Sequence, residues 1–211
     1  MIADKTLFYL LFHGTWRAIL SSFFPIKILH RERLIEEGPC IIVANHQSFM
    51  DPPLVGCLYT NPIWFLARKT LFDAPVLKQV LPYCQTLPVN QERPDPAAIL
   101  QVIRKVREGN RLLIFPEGAR CHDGKMHDAM PGIGLILSKL GSNIPVQPIR
   151  IEGAYDCLPI HRNSVRFCPI TLSVGEPIYF TPQELKARGR EGQRAIGKKL
   201  MDAIAALPTQ P

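Results

Sequence analysis

Ile41-Ile42-Val43-Ala44-Asn45-His46-Gln47-Ser48-Phe49-Met50-Asp51-Pro52 is the stretch on which the reading of this chain turns. Its opening run of apolar residues describes a strand buried on both faces of a sheet. The run ends on Asn45-His46, and Asp51 follows five residues after the histidine. A strand that stops by presenting an imidazole and a carboxylate offers what acid/base chemistry requires, and loops carried on a rigid scaffold are where such groups concentrate. Pro52 suits the first turn of a helix, which makes Asp51 a candidate N-cap as well as a candidate chemical group.

Working outward, residues 63–67, 85–89 and 112–115 are further apolar runs that predict strands. Residues 145–151 predict another, in which Pro148 demands a sheet edge or a bulge. Shorter strands are expected near 165–168 and 170–174. Asp95-Pro96 opens a helix that runs to Glu108, with Ala98, Ile99, Val102, Ile103 and Val106 on one face and Gly109 as its stop. Residues 132–140 suggest a short helix. Thr181-Pro182-Gln183-Glu184 is a capping box that opens a last helix, along which Ile196, Leu200, Ala203, Ile204 and Leu207 recur at helical spacing. Strands alternating with helices define an α/β protein: a mixed sheet covered by helices on both faces, over residues 31–211.

Residues 1–30 read differently. Phe8, Phe12, Trp16, Phe23 and Phe24 crowd a segment that also carries Arg17, Pro25 and Lys27. A bilayer span needs about 20 mostly apolar residues, which Arg17 and Pro25 interrupt. No small-x-small site of the kind that ends a signal peptide follows the run. The expectation is an N-terminal amphipathic helical segment lying in the membrane interface, with the basic side chains reaching toward head groups.

The composition agrees with a lipid surface. The chain has 211 residues, 46% of them hydrophobic, and a formal net charge of +7, which calls for an anionic partner. No basic run interleaved with aromatics is present, so nucleic acid is not the partner expected. The six cysteines lie at 40, 57, 84, 121, 157 and 168 without C-x-x-C spacing, which reads as free thiols rather than a disulfide framework. The stretch from Cys121 to Asp128 holds His122 and His127, but its turn formers and its spacing describe a polar loop, with no metal expected.

Taken singly these pieces are weak; in order they are not. A strand then Asn45-His46-x4-Asp51, the basic Arg68-Lys69, a strand then Phe115-Pro116-Glu117-Gly118-Ala119-Arg120, and a strand through Ile144-Pro145-Val146-Gln147-Pro148 follow one another. This set resembles the glycerolipid acyltransferases, the family that includes the 1-acylglycerol-3-phosphate acyltransferases. The resemblance covers residues 30–180. It implies that His46 is the catalytic base with Asp51 as its partner, and that Glu117, Gly118 and Arg120 bind the acyl acceptor and its phosphate, with Arg68 and Lys69 as further contacts. It also implies an O-acyltransferase that needs no cofactor. The donor is a thioester, acyl-CoA or acyl carrier protein, and the acceptor is 1-acylglycerol-3-phosphate at the cytoplasmic face of a membrane, the inner membrane if the source is bacterial. Gln91 stands where the family carries an arginine, with Arg93 two residues on, so another lysophospholipid, glycerol-3-phosphate or an aminoacyl lipid stays open as acceptor. Non-catalytic lipid binding is the alternative from a different class. Ser48 lies beside His46 but lacks a Gly-x-Ser-x-Gly elbow, which argues against a serine nucleophile.

Overall fold

The computed structural model describes residues 2–75, 77–91, 95–162, 164–186 and 189–209, and of residues 2–10 and 12 the backbone alone. In chain order, helix α1 (Ile2–Phe23) leads into strand β1 (Ile26–Leu29), followed by β2 (Cys40–Ala44), α2 (Asp51–Gly56) and β3 (Trp64–Arg68). Next come α3 (Leu77–Val80), β4 (Thr86–Val89), α4 (Pro96–Arg107), β5 (Arg111–Ile114), α5 (Pro131–Leu140) and β6 (Val146–Glu152). The chain closes with α6 (Ala154–Cys157), β7 (Ile170–Val174), α7 (Pro182–Lys186) and α8 (Gly189–Ala205).

Among the described residues the strands form one sheet in the order β1-β7-β6-β2-β5-β3-β4. The run from β6 to β4 is parallel throughout, whereas β7 is antiparallel to β6 and β1 is parallel to β7. The sheet is therefore mixed. Strand β2 lies at its centre, and its residues point alternately to the two faces. Cys40, Ile42 and Ala44 join Leu20 and Phe24 at the end of α1, Leu54 and Val55 of α2, and Ala154 and Cys157 of α6. Ile41 and Val43 join Val102 and Val106 of α4, Ile133, Ile136 and Leu137 of α5, and Ile196, Leu200 and Ile204 of α8. Each such fully buried aliphatic side chain contributes roughly 1.5–3 kcal/mol to the core.

Several expectations need correcting. Residues 26–29 were assigned to the N-terminal segment, yet they pair with β7 from Ile26↔Ile170 to Leu29↔Ser173. Leu20 and Phe24 are likewise core residues. The helical segment thus ends at Phe23, and its last turns are packed onto the sheet. No strand forms at 165–168. The expected single C-terminal helix is two helices, α7 and α8, with Gly189 at φ +83° where the second begins. The capping box holds: Thr181 N–H donates to Glu184 Oε2 at 2.7 Å and Glu184 N–H to Thr181 Oγ1 at 3.2 Å.

Pro148 is not at an edge, since β6 lies between β2 and β7. The accommodation is on its neighbour. Val146 pairs with Ile178, and Ile149 with Val174, so residues 175–177 face only residues 147 and 148. That is one extra residue on the partner strand, a bulge, where Gly175 N–H meets the Pro148 carbonyl and the missing proline N–H is not required.

Candidate active site

The parallel strands β2, β5 and β3 end at one edge of the sheet, and the chain leaves β2 and β5 in opposite directions. After β2 it turns into α2 on one face and goes on to β3; after β5 it passes through α5 on the other face to β6. The crevice between such diverging loops is where open α/β sheets take their ligands. His46 and Glu117 stand at its two sides.

At the end of β2 the Asn45 side chain prolongs the ladder beyond its last backbone pair. Its amide donates to the Ile151 carbonyl and its oxygen accepts the Ile151 N–H, both at 2.8 Å. The next residue, His46, is thereby held at a fixed height over β6. Asp51, completely buried, reaches back with Oδ2 to the N–H groups of Gln47 at 2.6 Å and Ser48 at 2.7 Å and to Nδ1 of His46 at 2.8 Å. An oxygen already accepting two amides is an acceptor for the ring as well, so Nδ1 carries the proton and Nε2 the lone pair. Among the described residues nothing hydrogen-bonds Nε2. Phe115 stacks on the imidazole with centroids 3.9 Å apart, fixing the ring plane.

The expected N-cap role of Asp51 gives way here. Asp51 is the first helical residue of α2, Met50 occupies the cap position, and the carboxylate serves the preceding loop instead. Ser48 is also accounted for: it is buried, its hydroxyl donates to the Leu158 carbonyl at 2.8 Å and accepts the Met50 N–H at 3.2 Å.

At the end of β5, Phe115 and Pro116 turn the chain so that Glu117 faces β2. Its Oε1 accepts the His46 N–H at 2.9 Å and its Oε2 the His127 N–H at 3.2 Å. Burial pushes the Glu117 carboxyl up, and these two amides oppose the shift. Gly118 has φ +74°, and a Cβ there would fall 2.8 Å from Met130 Cγ, so both the turn and the packing call for glycine. Cys121 N–H donates to the His46 carbonyl at 2.9 Å, which ties the segment carrying Arg120 to the segment carrying the histidine. The Arg120 guanidinium lies 3.3 Å over the Phe49 ring, and its buried Nη1 has no hydrogen-bond partner.

Arg68 ends β3 and Lys69 follows it, at the same end of the sheet. Lys69 Nζ is paired at 3.2 Å with Asp95, the residue that caps α4. Arg93 falls outside the described residues, as do the side chains of Phe8 and Phe12. The Asp123–His127 pair (2.9 Å) lies on an exposed loop. No group of three or more His, Cys, Asp or Glu among the described residues could hold a metal. All six cysteines are free thiols. The structure thus brings His46, Asp51, Glu117, Gly118 and Arg120 together. Asn45, Phe49 and Phe115 belong to the same site without having been singled out; the only sequence signal was that each lies within two residues of a candidate chemical residue.

This is the architecture of an α/β protein with a histidine–carboxylate pair and a cationic side chain brought together at the ends of its parallel strands. A family model described as Acyltransferase matches residues 25–152. The chain belongs to that family, whose members are enzymes. It is 26% identical over 182 residues to the chloroplastic 1-acyl-sn-glycerol-3-phosphate acyltransferase of Brassica napus, covering 81% of this chain and 50% of the relative. It is 30% identical over 148 residues to the lyso-ornithine lipid O-acyltransferase of Pseudomonas aeruginosa, covering 68% of this chain and 54% of that one. The chain spans about half the length of both. Its fold matches the crystal structure of the 1-acyl-sn-glycerophosphate acyltransferase PlsC from Thermotoga maritima with a TM-score of 0.74, at 24% identity, over 95% of this chain and 81% of the other.

Proposed function

We propose that the protein transfers a fatty acyl chain from a thioester, carried on coenzyme A or acyl carrier protein, to the free hydroxyl of 1-acylglycerol-3-phosphate, forming phosphatidic acid at a membrane surface. The observation that carries this reading is the His46–Asp51 pair at 2.8 Å, with Nε2 unengaged, in one crevice with the unsatisfied guanidinium of Arg120. His46 Nε2 takes the acceptor's hydroxyl proton as its oxygen attacks the thioester carbonyl. Asp51 stabilises the imidazolium that forms. The imidazolium then returns the proton to the departing thiolate, so neither an acyl-enzyme nor a cofactor is involved. Arg120 meets the acceptor phosphate through its N–H edge, in the parallel two-bond geometry open to a guanidinium. Glu117 holds the loop, each of its oxygens accepting a backbone amide.

The membrane reading rests on surface chemistry. No described helix is long and apolar enough to cross a bilayer. Leu11, Ile19 and Phe23 of α1 are nevertheless exposed, and Phe23 stacks at 5.6 Å on the exposed Phe167. Strands β1 and β7 run opposite to β2, so the residues leading into them lie at the same end of the sheet as His46. An apolar pair at the active-site end, with Lys27 and Arg166 exposed beside it in sequence, suits contact with an anionic lipid surface on the side where cytoplasmic thioesters are available.

The test is a matrix of purified protein against acyl-CoA and acyl carrier protein donors and four acceptors: 1-acylglycerol-3-phosphate, lysophosphatidylcholine, glycerol-3-phosphate and lyso-ornithine lipid. Phosphatidic acid is the expected product. A second reading, an aminoacyl-lipid acceptor, is favoured by the relationship to the lyso-ornithine lipid enzyme and by Gln91, and turnover confined to that acceptor would select it. Lysolipid binding without turnover would leave only a lipid-binding protein.

A further inference from the structure

We propose that Phe49 is a positioning residue for Arg120: its ring holds the guanidinium by the face and so keeps the N–H edge free for the anionic group of the acceptor. The identity of that group as a phosphate rests on the function proposed above; the coupling of the two side chains does not.

Phe49 stands out within its own loop. Gln47, Ser48, Met50 and Asp51 are all buried, whereas Phe49 is 55% exposed. What it touches is Arg120, with Cζ 3.3 Å from the ring centroid. Among the described residues the other such contacts are looser, at 4.5 Å for Lys105 on Trp64, 4.8 Å for Lys199 on Phe180 and 5.8 Å for Arg111 on Tyr59.

Arg150 and Arg162 spend donors within the protein, although Arg150 Nε and the Nε and Nη1 of Arg111 are, like Arg120 Nη1, buried without a partner. Arg150 donates to the carbonyls of Ala205 and Leu207 and to Glu152, and Arg162 to the carbonyls of Asp156, Cys157 and Ser164. Arg120 makes no hydrogen bond or ion pair among the described residues, and Nη1 is buried without an acceptor. The nearby carboxylates do not serve it. Glu117 accepts two backbone amides and makes no bond to Arg120, and Asp51 attracts Arg120 through space only.

This division of labour has a physical reason. A carboxylate holding Arg120 would accept from the same N–H edge that a phosphate needs and would cancel the charge that attracts it. An aromatic ring attracts the cation through its negative π face and consumes no donor. The guanidinium is thus oriented, stays charged and keeps its hydrogen-bonding capacity. The sequence spacing fits: Phe49 lies three residues beyond His46, so the loop that positions the base also positions the cation.

The test measures kcat and KM for the acceptor that wild type uses, in Phe49→Leu, Phe49→Trp, Arg120→Ala and the Phe49→Leu/Arg120→Ala double variant, with thermal melts to confirm folding. Phe49→Leu is expected to raise KM by roughly threefold to thirtyfold with kcat nearly unchanged. Phe49→Trp should restore the wild-type KM, because the ring face returns. In the Arg120→Ala background Phe49→Leu should have no further effect. Equal effects of Phe49→Leu with and without Arg120, a fall confined to kcat, or no effect at all would each overturn the proposal. If wild type proves to use an acceptor without phosphate, the phosphate reading fails, while coupling in the same four variants still decides whether Phe49 acts through Arg120.

Discussion

Glu117 Oε1 accepts the backbone N–H of His46 at 2.9 Å, so a carboxylate at the end of β5 fixes the residue proposed as the base at the end of β2. Its other oxygen secures the His127 amide. Replacing Glu117 with Ala strands both amides, and an orphaned buried donor costs about 1–3 kcal/mol. Glu117→Ala should therefore lower the melting temperature and kcat together. Glu117→Gln, which keeps one acceptor oxygen, should fall between the two. A variant of unchanged stability that has lost only acceptor affinity would instead assign Glu117 to the substrate.

His46→Ala should keep its fold and lose at least about 10²-fold in kcat, the usual lower bound for removing a general base. Asp51→Asn tests the charge. An asparagine oxygen in the place of Oδ2 still accepts the Gln47 and Ser48 amides and still faces Nδ1, with its NH₂ in the place of the unpartnered Oδ1. What is lost is the negative charge that stabilises the imidazolium formed when Nε2 takes the proton. A comparable fall in kcat with intact circular dichroism is the expected result.

Desolvation pushes the thiols of Cys57 and Cys84 up to about 11 and that of Cys40 up to about 12. Cys121, beside the site, is raised for the same reason. Only the thiolate reacts, so iodoacetamide at about pH 7.5 should leave acyl transfer intact, with Cys40, Cys57 and Cys84 unmodified by mass spectrometry. Labelling should quicken as pH rises toward those values. Rapid, complete inactivation at neutral pH would bring back a cysteine nucleophile.

Glu184 is held down at about 2, first by the Lys199 ammonium at 2.6 Å and then by the Thr181 amide. A depressed folded-state carboxyl contributes stability above its ordinary value of 4.5 and loses it as pH falls through about 2. The pair is substantially exposed, so Glu184→Gln should cost only about 0.3–1 kcal/mol at pH 7. The difference from wild type should close over that acid window in urea unfolding.

Membrane attachment is better probed by charge than by truncation, since Leu20 and Phe24 belong to the core and Ile26–Leu29 to the sheet. Phe23→Glu and Phe167→Glu, at exposed positions, should reduce co-sedimentation with anionic vesicles while leaving the melting temperature near that of wild type. Undiminished sedimentation of the double variant would move the lipid contact elsewhere on the surface.

Much of this was legible in the residues alone. An unbroken, β-branched apolar run such as Ile41–Ala44 favours a strand covered on both sides, and Asp95-Pro96 and Thr181-x-x-Glu184 are helix starts whose chemistry is local. The ordered motifs around His46, Asp51, Glu117 and Arg120 marked the site because acid/base chemistry and anion binding restrict residue type and spacing. Ile26–Leu29 was missed because four residues after an aromatic-rich helix carry no periodicity of their own; their strand character comes from β7. Pro148 was read correctly as needing relief, but only the antiparallel pairing could show that the relief is a bulge across the ladder.

Whether Asp51 capped a helix or served His46 depended on which donors surround its carboxylate, and folding supplied those of the preceding loop. The pairing of Glu117 with the His46 amide, and of Phe49 with Arg120, joins groups about seventy residues apart in sequence. Sequence alone determined strands β2 to β7, the starts of α4 and α7 and the candidate reactive groups, because those depend on near neighbours. Tertiary structure decided which group holds which, because a hydrogen bond or a stacked ring is set by distances that only the closed sheet brings within reach.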